Sequence, residues 1–183
     1  NMTSYTKYLS TTAVYCNDRE VGSGTYSATG STFYYAAYTR LQTNKTPTYD
    51  CTNDNDKFTV DASTGNGKLT YPIALMTADE IAYAGGVIST NAPMWYYTNI
   101  TLESSTGEEY WWSLSPNYWS GNLARSWSWL VGGSVGPGRL MNSGVGYSYG
   151  VRPAVSLKSC IKYSTGNGTS ETPYEIVETS SGC

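Results

Sequence analysis

The 183 residues suit one domain, or one domain with an appendage. Only 14% of them are charged and the formal net charge is −3, which excludes the basic face that a nucleic-acid partner needs. No run of about 18 apolar residues is present to cross a membrane, while an aromatic content of 14% supplies large rings for a core.

The opening NMTSYTKYLS has no charged start followed by an apolar run, and it reads as a trimmed fragment or a mature form. Residues 12–15 and 32–41 are the first candidate elements. The second, TFYYAAYTRL, has Phe33, Ala36, Ala37 and Leu41 at helical spacing, yet serves equally as a strand. The stretch from Asp50 to Asp56 is acidic and Asn-rich and reads as a loop. Asp54 and Asp56 there offer oxygen ligands to a hard cation, but the glycine of a calcium loop is missing, so a solvated turn is the better reading. Residues 69–75 (LTYPIAL) read as a strand leading into a helix over 78–84. Thr77 is its N-cap, Glu80 completes a capping box, Ile81 and Ala84 face the core, and Gly85-Gly86 ends it. Residues 87–109 read as an exposed connection. Tyr110–Leu114 and Val151–Leu157 are apolar strands, with Pro153 marking an edge or bulge in the second. A short strand at Tyr174–Val177 closes the chain.

Four cysteines, widely spaced and without a CxxC pair or any His, fit disulfides better than zinc. Three pairings are possible, and proximity in sequence favours Cys16–Cys51 and Cys160–Cys183. Disulfides point to an oxidising, extracellular setting. The competing reading is four buried thiols in a cytosolic protein.

From Ser113 to Gly150 there is no Lys, Glu, Gln, Asp, Thr or Ile, while Trp119, Trp127, Trp129, Tyr118, Tyr147 and Tyr149 all fall inside it. That is the composition of a paratope: Tyr and Trp supply rigid contact area, and Ser, Gly and Asn supply adaptable hydrogen bonding. Signals for catalysis are weak. Without His there is no Ser-His-Asp triad, no convincing pair of facing carboxylates is visible, and Gly65-Asn66-Gly67-Lys68 lacks the phosphate-loop spacing. The chain is expected not to be an enzyme and to need no cofactor and no metal. Asn44, Asn99 and Asn167 each begin a glycosylation triplet, relevant only in a eukaryotic secretory route.

The segments YWWSLSP at 110–116 and GVRPAVSL at 150–157 resemble those of the variable proteins of diversity-generating retroelements. So do the flanking TTAVYCNDR (11–19), TNKTPTYDC (43–51) and YPIALMTADEIAYAGG (71–86). The similarity is to a surface and pilin-like branch from gut bacteria and their phages. It implies a C-type-lectin-like fold of the formylglycine-generating-enzyme type, α+β and loop-rich, with a small antiparallel sheet, short helices and stabilising disulfides. The family mutates adenines, mostly in Asn codons of the AAC type, which cannot yield Lys, Glu, Gln, Met or Trp. Trp119, Trp127, Trp129 and Met141 are then fixed scaffold or come from another codon, and the absence of Lys, Glu and Gln is as expected. The catalytic cysteines of the formylglycine-generating enzymes are not matched. The stretch from Arg125 to Gly150 is longer than the family's pattern, with GGSVGPGRLMNSG (132–144) as the extra.

The resemblance implies a single domain over 1–183, a variable region at about 110–157 and a disulfide-tied tail at 158–183. It implies two apolar blocks paired as central strands, with Trp111, Trp112, Leu114, Val151, Ala154, Val155, Leu157 and Trp127 in the core. Arg125 and Arg152 make internal salt bridges or bond loop carbonyls. The expected contact residues are Asn117, Tyr118, Ser120, Asn122, Leu123, Ser126, Ser128, Leu130, Tyr147 and Tyr149. The function expected is extracellular display of a diversified ligand-binding surface, on a bacterial cell or phage particle. The partner is an unknown protein or glycan, with a pilus or surface assembly also open. The alternatives are a phage receptor-binding protein, a structural pilus subunit, or an extracellular enzyme of the same fold, for which a free thiol at Cys160 is the marker.

Overall fold

The computed structural model describes residues 2–27, 29, 31–61, 65–92, 94–98, 110–121, 125–132 and 136–183, with the backbone alone at 2, 3, 95 and 98 and over 125–132. In chain order come helix α1 (Met2–Tyr5) and strands β1 (Tyr15–Cys16), β2 (Val21–Ser23) and β3 (Thr32–Tyr35). Helix α2 (Ala36–Tyr38) continues as a π-type turn over Thr39–Asn44. A 3-10 turn (Asp54–Asp56) precedes β4 (Lys57–Thr59), β5 (Gly67–Lys68) and β6 (Ile73–Leu75). Helix α3 (Ala78–Tyr83), β7 (Val87–Ile88) and α4 (Trp95–Thr98) lead to β8 (Tyr110–Ser120), β9 (Arg125–Gly132) and β10 (Arg139–Gly144). Strands β11 (Pro153–Val155), β12 (Tyr163–Thr165) and β13 (Glu175–Ile176) follow. The architecture is α+β, mostly small sheets with a few short helices.

The largest sheet has the order β2-β3-β8-β9-β10-β7. Its pairs are antiparallel except β10 with β7, which is parallel. Trp111 of β8 lies opposite Val131 of β9, which lies opposite Leu140 of β10. Trp111 and Leu140 enter the core beside Leu41, Ala78, Ile81 and Tyr97. The charge-poor segment 113–150, which shows no clean period as a sequence, therefore folds largely as a meander. Register shifts between Trp112 and Pro116 and between Pro116 and Trp119 break the two-residue alternation, and that hides the strands from a periodicity reading.

The stretch TFYYAAYTRL resolves as both of its readings in series, strand to Tyr35 and helix from Ala36. Helix α3 starts where expected. The Thr77 hydroxyl accepts from the Glu80 N–H at 3.1 Å and the Glu80 carboxylate accepts from the Thr77 N–H at 2.7 Å. Its first turn is tied to the central sheet, because the Ala78 N–H donates to Ser115 Oγ at 3.0 Å. Gly85 ends it at φ +90°, a conformation that L side chains rarely adopt. Gly138, just before β10, has φ +67°, and a Cβ there would lie 2.7 Å from the Ala92 carbonyl oxygen.

Both favoured disulfides are present, Cys16–Cys51 and Cys160–Cys183, and no cysteine is free. The tail is also held to the N-terminal segment. Tyr8 donates its phenol to the Thr179 carbonyl and accepts from the Thr179 N–H, both at 2.9 Å. The Lys158 N–H donates to the Tyr8 carbonyl at 3.0 Å.

One part of the expected core is corrected. The two apolar blocks do not pair as central strands: β8 takes β3 and β9 as neighbours, whereas β11 pairs with β6 in a separate two-stranded sheet. A bridge from Trp111 to Gly150 joins the blocks instead. Val151, Val155 and Leu157 are exposed, Val151 at 67%, and Ala154 is half-buried. Trp111 is buried, and Trp112 and Leu114 are half-buried. Among the described residues no helix is long and apolar enough to cross a membrane.

Candidate functional site: an aromatic face and an arginine-lined cavity

Successive side chains of a strand point to opposite faces. Trp111 enters the core, and Trp112 is half-buried among tyrosines. The Trp112 and Tyr149 rings meet edge to face with centroids 5.1 Å apart. Tyr110 approaches Tyr149 at 5.8 Å and Tyr147 approaches it at 6.2 Å. The Tyr149 phenol also lies 3.2 Å from Ser143 Oγ on β10. Tyr147 stands outermost at 57% exposure. Rigid rings with polar tips, set on the middle of the largest sheet, form a surface suited to non-covalent recognition.

A second aromatic group covers the β3 side of the sheet. Tyr34 stacks on Tyr38 at 4.2 Å and approaches Tyr118 at 5.6 Å. Burial, and then the neighbouring Tyr34, raise the pKa of the Tyr118 phenol above the ordinary tyrosine value. Trp119 donates its indole N–H to the Ser27 carbonyl at 3.2 Å, as a scaffold residue does.

The expected contact residues therefore separate. Tyr147 is exposed, while Tyr118, Ser120 and Tyr149 are half-buried. Ser126, Ser128 and Leu130 occupy alternate register positions on β9 opposite Trp119, Pro116 and Trp112. Asn122 and Leu123 lie outside the described residues, as do the side chains of Arg125, Trp127 and Trp129. Asn117 is corrected outright: it is 0% exposed and is no open-surface contact. The bulged course of β8 places Pro116 and Asn117 both inside, where simple alternation would turn one of them out.

Asn117 instead lines a cavity of about 340 Å³ with Tyr38, Gln42, Ser89, Arg139 and Asn142, over Ile88, Leu140 and Met141. Neither atom of its carboxamide has a hydrogen-bond partner, and neither does Arg139 Nε. Buried polar groups are normally paired, so this wall holds unused hydrogen-bonding capacity. Nothing in the composition of the segment singles out Arg139. The one sequence signal is that it is one of two cations between Ser113 and Gly150.

Several other charges are paired within the fold. Arg40 bonds Asp79 through Nε at 2.9 Å and Nη2 at 2.7 Å, and also pairs with Asp18. Burial disfavours its charge, but the hydrogen bonds to Asp79 and Asp18 outweigh that and raise its pKa. Asp56 is buried against Arg19 at 2.9 Å, and Asp54 pairs with Lys57 at 2.6 Å. Those two carboxylates thus serve ion pairs, and among the described residues no cluster of three or more potential metal ligands occurs. Arg152 donates to the Tyr96 carbonyl at 3.0 Å and lies over the Trp111 ring at 5.1 Å, a structural role as expected.

No family model, curated protein or solved structure matches the chain.

Proposed function

We infer that the protein displays a ligand-binding surface outside the cell, as a retroelement variable protein of the surface or pilin-like kind with a C-type-lectin-like fold. The observation that carries this reading is the aromatic group Tyr110–Trp112–Tyr149–Tyr147. It contributes little to the core, yet it sits on the strand that anchors the core. A surface meant to change needs a support that does not. Trp111, Ser115 and Leu140 provide that support from the opposite side of the same strands, and two disulfides add to it. The disulfides also suit an oxidising compartment. Binding is non-covalent, through ring contacts and small polar adapters.

Sequencing the locus tests the reading. It predicts a neighbouring reverse transcriptase and a near-copy of the segment coding for residues 110–157. Sister copies should differ at Asn-type codons, among them those for Ser126, Ser128, Tyr147 and Tyr149, and agree at Trp111 and Trp119. A locus without such a repeat, or sister copies identical across this segment, rules it out.

A further inference from the structure

We propose that the cavity between the π-type turn and β10 binds a carboxylate-bearing sugar of the uronate or sialate type through Arg139. This rests on the reading of the chain as a binding protein and names a ligand class for one part of its surface. Among the arginines whose side chains are described, Arg19, Arg40 and Arg152 each have an acceptor. Arg139 is half-buried, and its buried Nε has no acceptor among the described residues. Charged groups withdrawn from water are normally paired, and a guanidinium presents a fork that matches a carboxylate with two parallel bonds. None of the cavity's described lining residues is acidic.

The rest of the wall selects among carboxylates. Gln42, Ser89, Asn117 and Asn142 each carry both a donor and an acceptor. Sugar hydroxyls do the same, so one wall can serve adjacent hydroxyls in either sense. Ile88, Leu140, Met141 and the Tyr38 ring supply apolar surface for the carbon face of a pyranose. The volume of about 340 Å³ lies in the range of small-ligand sites, about 300–1,000 Å³. The chain's net charge of −3 offers no general attraction to an acid, so binding depends on this one cation.

The test is calorimetric titration of the whole chain with three acidic disaccharides, ended by glucuronate, galacturonate or sialate. Their methyl esters and a glutamate-ended tripeptide are the comparisons. The expected result is saturable binding of at least one acid, with its ester weaker by about tenfold or more, the loss of one charge-assisted contact. Arg139→Gln should weaken the acid by a similar factor, and Arg139→Lys by less, with unfolding midpoints unchanged because no internal partner is lost. Equal binding of acid and ester, no binding of any acid, or unchanged binding by R139Q overturns the proposal. Tighter binding of the tripeptide overturns the sugar assignment. If the variant fails to fold, the acid-to-ester comparison on the native chain still decides. Sister copies that vary while no acid binds would remove this site alone. Acid binding with invariant sister copies would remove the display reading alone.

Discussion

Tyr149 meets Trp112 edge to face, with ring centroids 5.1 Å apart, and so joins the segment after β10 to the central strand β8. This contact ties the aromatic face to β8. The outer Tyr147, 6.2 Å further along the same group, is left mostly in solvent.

Substitution separates the two. Tyr149→Ala removes ring contacts to both Trp112 and Tyr110, each worth about 0.5–1.5 kcal/mol beyond buried area, so a loss of roughly 1–3 kcal/mol is expected in urea unfolding. Tyr147→Ala should stay within about 0.5 kcal/mol of the native chain, as exposed positions do.

Asp79 is the most demanding polar residue of the scaffold. Buried at 2% exposure, it accepts from Arg40 twice and from the Thr48 N–H at 3.0 Å. Asp79→Ala strands a guanidinium and a backbone donor, and a cost of about 3–5 kcal/mol is expected. A loss under about 1 kcal/mol in denaturant unfolding would show that Arg40 is satisfied by Asp18 alone.

Helix α3 gives a smaller and cleaner figure. Thr77→Ala opens the capping box and should cost about 1 kcal/mol, read from the unfolding midpoint at an unchanged denaturant slope.

That helix is also where sequence and structure agree best, and the reason is physical. A cap, a capping box and a glycine stop act within a few residues, so Thr77, Glu80 and Gly85 carry the whole signal locally. The disulfide pairing was legible for a similar reason, since each bond closes on the nearer cysteine along the chain. The meander was not legible. Its strands are bulged, and Pro116 and Asn117 turn inward together, so period-two reading fails from Trp112 to Trp119. The exposure of Val151, Val155 and Leu157 was hidden too, because an apolar run does not say whether anything covers it. The unpaired Arg139 Nε and Asn117 carboxamide could emerge only when four separated segments were brought together around one cavity.

Alkaline pH should weaken the fold through its buried phenols. Burial raises the pKa values of Tyr15, Tyr35, Tyr97 and Tyr118. These groups keep their protons longer folded than unfolded. The stability is therefore complete below the unfolded value of about 10 and is lost as pH rises from there through the folded values. Phenolate absorbance should show an early class of tyrosines and a late class that titrates together with unfolding. A single class titrating without loss of structure would contradict this.

Reduction should matter at both ends of the chain. The loops closed by Cys16–Cys51 and Cys160–Cys183 span 35 and 23 residues, so each bond contributes about 3–4 kcal/mol on the chain-entropy model. Replacing Cys160 and Cys183 by Ser should lower the unfolding midpoint by nearly as much as replacing Cys16 and Cys51. It should also speed amide exchange at Thr179, which the tail contact to Tyr8 holds.

The central claim is that a fixed scaffold carries a surface free to vary. Its most direct test is the yield of folded protein when every position from 110 to 157 is replaced singly by all residue types. The account predicts broad tolerance at Tyr147, Ser126 and Ser128, and near-complete intolerance at Trp111, Ser115 and Leu140. Tyr147 proving as intolerant as Trp111, or the segment tolerating change evenly from end to end, would contradict it.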